Sequence, residues 1–92
     1  MVEEMVKLRQ MLNEHHIKWV DKSDLQIDRT HFKYRGFHWS VVNGYGTYGE
    51  DEGLLELMSN AVNCGEPIGY LTADEVMKMV WDEVPTVIER EE

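Results

Sequence analysis

Two alternating runs on either side of Arg35-Gly36 constrain this chain more than any other feature. Phe32-Lys33-Tyr34 leads into that pair, and Phe37-His38-Trp39-Ser40-Val41 leads away from it. Alternation with period two marks a strand with one buried face, and glycine at a turn reaches positive φ at little cost. A hairpin over 27–42 that turns at 35–36 pairs Tyr34 with Phe37, Phe32 with Trp39 and Thr30 with Val41. In that register the five large apolar residues share one face, while Arg29, His31, Lys33, His38 and Ser40 share the other. A slip of one residue would mix the two sets, so the pattern itself selects the register.

The flanks supply what such a sheet needs to bury its apolar face. Met1, Met5, Leu8 and Leu12 recur at helical spacing, widened by Val2, Val6 and Met11, and predict a helix from residue 2 to about 14. Asn13 and His15-His16 suit its end, and Ile17-Lys18-Trp19-Val20 is a short β-prone run before the polar turn 21–24. Beyond the hairpin comes a glycine-rich loop, 43–49, and then the acidic knot Glu50-Asp51-Glu52. Residues 54–58 read as a strand that joins the hairpin, and 59–67 as a loop. Thr72 and Glu75 have the spacing of a capping box, in which each side chain bonds the other's backbone N–H. The helix they open carries Val76, Val80 and Trp81, and Pro85 is expected to end it, leaving 85–92 as a frayed acidic tail. The expected architecture is one α+β domain over 1–92: an N-terminal helix, a three- to four-stranded antiparallel sheet and a C-terminal helix.

Composition narrows the function. A 42% hydrophobic content, with three Trp, four Tyr and two Phe, is enough for a self-sufficient core, and no run approaches the roughly 18 apolar residues of a membrane span. The early acids Glu3 and Glu4 do not fit a secretory signal, and the single cysteine, Cys64, allows no internal disulfide. Both features point to a reducing, cytoplasmic setting. A net charge of −9 disfavours direct binding to nucleic acid phosphate. The charge is uneven, however. Residues 43–92 hold twelve acids against Lys78 and Arg90, whereas 27–42 hold Arg29, Lys33 and Arg35 against Asp28 alone.

That basic island is the first candidate site. Arg29, Lys33 and Arg35 offer permanent charge and His38 a further donor, a set suited to phosphate, although a wet sheet face with a protective lysine is the plain alternative. In the adjoining loop, Gly44, Gly46 and Gly49 permit close backbone approach and an anion nest, with Tyr45 and Tyr48 placed to stack on a base. The GxGxxG spelling lacks the following helix of a dinucleotide fold, and a wide turn with edge-covering tyrosines is the simpler reading. His15, His16, His31, His38 and Cys64 have no metal-ligand spacing, so no metal or cofactor is expected. Nothing marks Cys64 as an activated nucleophile, and a chain this short has little room for a glycosidase cleft, so no enzyme is expected. The dense acids read as a solvated face or as a mimic of nucleic acid phosphate, and Met5, Met58, Met77 and Met79 as core filler.

The stretches 35–49 (RGFHWSVVNGYGTYG), 53–58 (GLLELM) and 65–76 (GEPIGYLTADEV) resemble small uncharacterised proteins of temperate phages and prophages of Firmicutes. The likeness spans most of residues 5–80, and relatives often carry a longer insert where this chain has only Glu50-Asp51-Glu52. It implies a bacterial host cytoplasm and a role in antagonising host defence, and it assigns no residue a function. Two partners follow as expectations. One is a small nucleotide signal, of cyclic nucleotide or cyclic ADP-ribose type, held by Arg29, Lys33, Arg35, His38, Tyr45 and Tyr48 in a possible homo-oligomer. The other is a basic host defence nuclease, met by the acidic regions 50–56 and 82–92.

Overall fold

A computed structural model describes the backbone of residues 1–91 and the side chains of residues 1–82. Helix α1 (Glu3–Glu14) leads into five strands: β1 (Trp19–Asp21), β2 (Ile27–Tyr34), β3 (Phe37–Gly44), β4 (Leu55–Ser59) and β5 (Ile68–Leu71). Helix α2 (Ala73–Glu91) follows. The strands form one antiparallel sheet in chain order, so each pairs with its neighbour in sequence. This is the expected α+β class with one strand more than expected. The additional strand is β5, a stretch of four residues that pairs with β4 across a register shift between Leu55 and Leu57. A bulge and a glycine break its alternation, which removes the period-two signal.

The hairpin takes the expected register throughout, including Tyr34 with Phe37, Phe32 with Trp39 and Thr30 with Val41. Its turn needs positive φ at both central residues, 51° at Arg35 and 85° at Gly36. That is the pattern of the hairpin turn whose twist matches the flanking strands. Phe32 and Trp39 stack with ring centroids 6.1 Å apart and nearly parallel planes, and Trp39 is 1% exposed.

Both helices lie on that apolar face. Met5, Leu8 and Leu12 of α1 and Ala73, Val76, Met77 and Val80 of α2 are buried in one core with Phe32, Trp39, Val41, Leu55 and Leu57. Met1 at the start of the predicted stripe stays exposed. Thr30 is fully buried without an energetic penalty, because its Oγ1 accepts the Arg9 Nε–H at 2.8 Å and donates to the Met5 sulfur at 3.3 Å. Arg9 is itself held by Asp21 at 3.3 Å and by the Trp19 ring at 4.6 Å.

The capping box closes as its spacing predicts. The Thr72 N–H donates to Glu75 Oε1 at 2.9 Å, and the Glu75 N–H to Thr72 Oγ1 at 3.2 Å. Glu4 adds a cap that local spacing does not reveal, accepting the Ala73 N–H at 2.7 Å from across the helix pair. Pro85 does not end α2, which runs on to Glu91. Proline disfavours helix in the residue before it and deletes one N–H, but it does not forbid continuation as a kinked helix. The side chains of 83–92 lie outside the described residues, so the expectation of a frayed tail does too. Among the described residues no helix is long and apolar enough to cross a membrane.

Candidate functional site

With both α-helices on one side, the other face of the sheet is left uncovered by them, and only the short 3-10 turn Asn63–Gly65 reaches its border, at Gly65. Its side chains form rows across the strands. One row runs Val20, His31, Ser40, Met58, each residue directly paired with the next. A second passes through Lys33 and His38, which pair with each other, and is extended by Lys18 at one side and Asn60 at the other. A third passes through Arg29, Val42 and Glu56, with Lys22 bonded to Arg29 through its N–H at 2.9 Å.

Two shallow pockets lie on this face and meet at His31 and His38. The first, about 340 Å³, is lined by Lys18, Val20, Lys22 and Lys33 together with the two histidines. The second, about 290 Å³, adds Ser40, Met58 and Asn60 to them. Both lie near the lower end of the usual range for small-molecule sites, roughly 300–1,000 Å³.

The electrostatics of the face differ from those of the rest of the chain. Elsewhere, Lys7 pairs with Asp74, Arg9 with Asp21 and Lys78 with Asp82. Lys18, Lys22, Arg29, Lys33 and Arg35 have no carboxylate within 4.0 Å among the described residues, and the first four border the open face. Their mutual field reaches His31. Burial first, and then the nearby Arg29, Lys22 and His38, hold its imidazole below its ordinary value of 6.5. The side chains of His31, His38 and Ser40 make no hydrogen bond among the described residues, and Asn60 uses only its Oδ1, accepting the His38 N–H at 2.9 Å.

The six residues predicted from sequence do not form one cluster. Lys33 and His38 sit together in the trough. Arg29 borders it, but its guanidinium donates to the Lys22 carbonyl at 3.3 Å. Arg35 occupies the turn, with its guanidinium carbon 5.4 Å from the Tyr34 ring, whose other contact is the core-side Trp81. Tyr45 and Tyr48 lie past the opposite end of β3, roughly 23 Å from the turn by strand rise.

The glycine loop also has its own bonding closed. The Gly44 N–H donates to Thr47 Oγ1 at 3.0 Å, the Gly46 N–H to Glu50 at 3.3 Å and the Tyr48 N–H to Glu56 at 3.0 Å. Carboxylates thus fill the positions where an anion nest would hold phosphate. Tyr48 stacks on Tyr70 with centroids 6.4 Å apart, beside a pocket of about 140 Å³ lined by Glu50, Asp51 and Glu52.

Sequence reasoning passed over Lys18, Lys22 and Met58. The first two flank Val20 at period two, a signal shortened by the length of β1. Met58, expected in the core, is 45% exposed because it sits one residue out of phase with buried Leu57. Cys64 is an exposed loop thiol. Among the described residues no three His, Cys, Asp or Glu side chains converge as metal ligands. No protein-family model, curated protein or solved structure matches this chain.

Proposed function

We propose that this chain is a non-enzymatic binding protein that captures a small phosphate-bearing ligand on the open face of its sheet. The observation that carries this reading is a set of cations with no carboxylate within 4.0 Å among the described residues, Lys18, Lys22, Arg29 and Lys33, in a chain of net charge −9. Acids are abundant everywhere else, so leaving these cations side by side is electrostatically unfavourable until an anion joins them. Lys33 approaches from β2 and Lys22 from the turn after β1, and His31 and His38 offer ring N–H donors between them. Such charge-assisted bonds are shorter and roughly twice as strong as neutral ones. In the phage setting implied by the resemblance, the role is sequestration of a nucleotide signal, with a second copy helping to wall an open trough.

Calorimetric titration with inorganic phosphate and a nucleotide panel tests this on the wild type and two charge reversals. Lys33→Glu should weaken binding at least tenfold, since a hydrogen bond to a charged group contributes about 1.5–3 kcal/mol. Arg35→Glu should change it less than about threefold, because Arg35 lies over Tyr34 and lines neither pocket. Equal affinity in wild type and Lys33→Glu would sink the site.

A second reading rests on the other end of the sheet. Asp51 and Glu52 are exposed beside the Tyr48–Tyr70 pair, with no cation partner among the described residues. That surface suits a basic protein, and the complex should weaken steeply with salt. Joint neutralisation of Glu50, Asp51 and Glu52 would leave phosphate binding intact and dissolve that complex.

A further inference from the structure

We infer that the open face is polarised and takes a nucleotide laid across the strands, its phosphate over β1 and β2 and its base over β3 and β4. This rests on the phosphate-binding reading and adds the class and orientation of the ligand. The observation is the distribution of side chains along the paired rows. Every permanent cation of the face lies on β2 or immediately beside β1: Lys18 just before β1, Lys22 just after it, and Arg29 and Lys33 on β2. The β3 and β4 half has none. It presents Ser40, Val42 and Met58, flanked by Asn60 at one end and Glu56 at the other.

The neutral half is shaped for a flat group with an apolar face and a polar edge. Met58 is 45% exposed at its centre, although a methionine at a wet sheet position gains nothing from water. A thioether is a polarisable platform for an aromatic ring. On either side of it, the Ser40 hydroxyl and the Asn60 Nδ2 are uncommitted among the described residues and can meet the donors and acceptors of a base edge. Glu56, at the corner of the same half, repels a phosphate placed there. A bare inorganic anion would use only the lysine half and leave this second pocket empty.

The geometry has room for the whole ligand. The row Val20, His31, Ser40, Met58 crosses three inter-strand gaps. At about 4.8 Å each that is roughly 14 Å, enough for a mononucleotide. His31 and His38 line both pockets and so stand at the junction between phosphate and base.

The test compares the affinities of inorganic phosphate, adenosine, AMP, GMP, 3′,5′-cyclic AMP and ADP-ribose for the wild-type chain, with AMP and phosphate repeated on Met58→Ala and Lys33→Glu. At least one nucleotide should bind tenfold or more tightly than phosphate, and Met58→Ala should remove most of that gain while leaving phosphate within twofold. The Met58 methyl resonance should shift with the nucleotide and not with phosphate. Nucleotides that bind no tighter than phosphate, or a Met58→Ala loss shared equally by phosphate, would overturn the polarised face and leave phosphate capture standing. Absence of binding by phosphate and every nucleotide would overturn both.

Discussion

The two faces of the sheet are made by the same strands, residue by alternate residue, and they resolve their demands in opposite ways. On the covered face nearly every demand is met inside the chain, the exception among the described residues being the buried Trp39 Nε1–H, which has no acceptor. Phe32, Trp39, Val41, Leu55 and Leu57 are buried under two helices, and even Thr30 has its hydroxyl satisfied by Arg9 and Met5. On the open face Lys18, Lys22, Arg29 and Lys33 make no ion pair within 4.0 Å, and the side chains of His31, His38 and Ser40 make no hydrogen bond, among the described residues. A face that satisfies itself contributes stability; one that leaves charges and donors unanswered is available for a ligand. The contrast is sharp because neighbouring residues belong to different regimes.

The largest difference should appear between adjacent positions. Trp39→Ala should cost about 3–5 kcal/mol in denaturant unfolding, as expected for a fully buried large aromatic. Ser40→Ala, one residue on and facing outward, should stay within about 0.5 kcal/mol. Similar losses for the two variants would break the division of the sheet into a structural and a binding face.

A smaller effect tests the ends of the hairpin, where the two faces meet. A Cβ on Gly44 would lie 2.3 Å from the Gln26 carbonyl oxygen and 2.6 Å from the Ile27 Cα. Since both are backbone, Gly44→Ala should cost about 1–3 kcal/mol and loosen the pairing of Gly44 with Ile27. Hydrogen exchange should report faster opening there than at the Phe32–Trp39 pair.

The smallest effect sharpens the electrostatic half of the comparison. His31 has its folded-state pKa held below the ordinary 6.5 by burial and by neighbouring cations, so the native state resists a proton that the unfolded chain accepts. Stability should therefore be unaffected by this group above about pH 6.5 and decline as the pH falls through it, levelling off below the native pKa. His31→Gln should flatten that decline. Added phosphate should also shrink it in the wild type, because an anion beside the ring favours the protonated form. A decline unchanged by phosphate would separate His31 from the ligand.

Much of the scaffold was legible in the residues. The hairpin register, its two-residue turn, the first helix and the reciprocal Thr72–Glu75 cap all follow from local spacing, and the structure has each of them. Less legible were elements whose pattern is short or interrupted. β5 spans four residues broken by Gly69 and by Tyr70 at φ 61°, and α2 runs through Pro85. The candidate site was legible only in part. Lys33 and His38 come from one hairpin and meet as expected, whereas Lys18 and Lys22 reach the same trough from the segments just before and just after β1. Tyr45 and Tyr48 follow the basic island closely in sequence but lie beyond the far end of an eight-residue strand from the turn.

The sequence by itself determined which residues alternate, where the chain turns and which face of the hairpin is apolar. Those properties depend on neighbours within a few positions, and period-two geometry converts them directly into faces. The apolar stripes of the two flanking helices also implied that both cover that apolar face, and the structure has both there. Only the tertiary structure decided that the segments on either side of β1 bring Lys18 and Lys22 beside Lys33, while Glu50 and Glu56 occupy the amides of the glycine loop. Charge acts through space, so the cations that share a field are those the fold places within a few ångströms, whatever their separation along the chain.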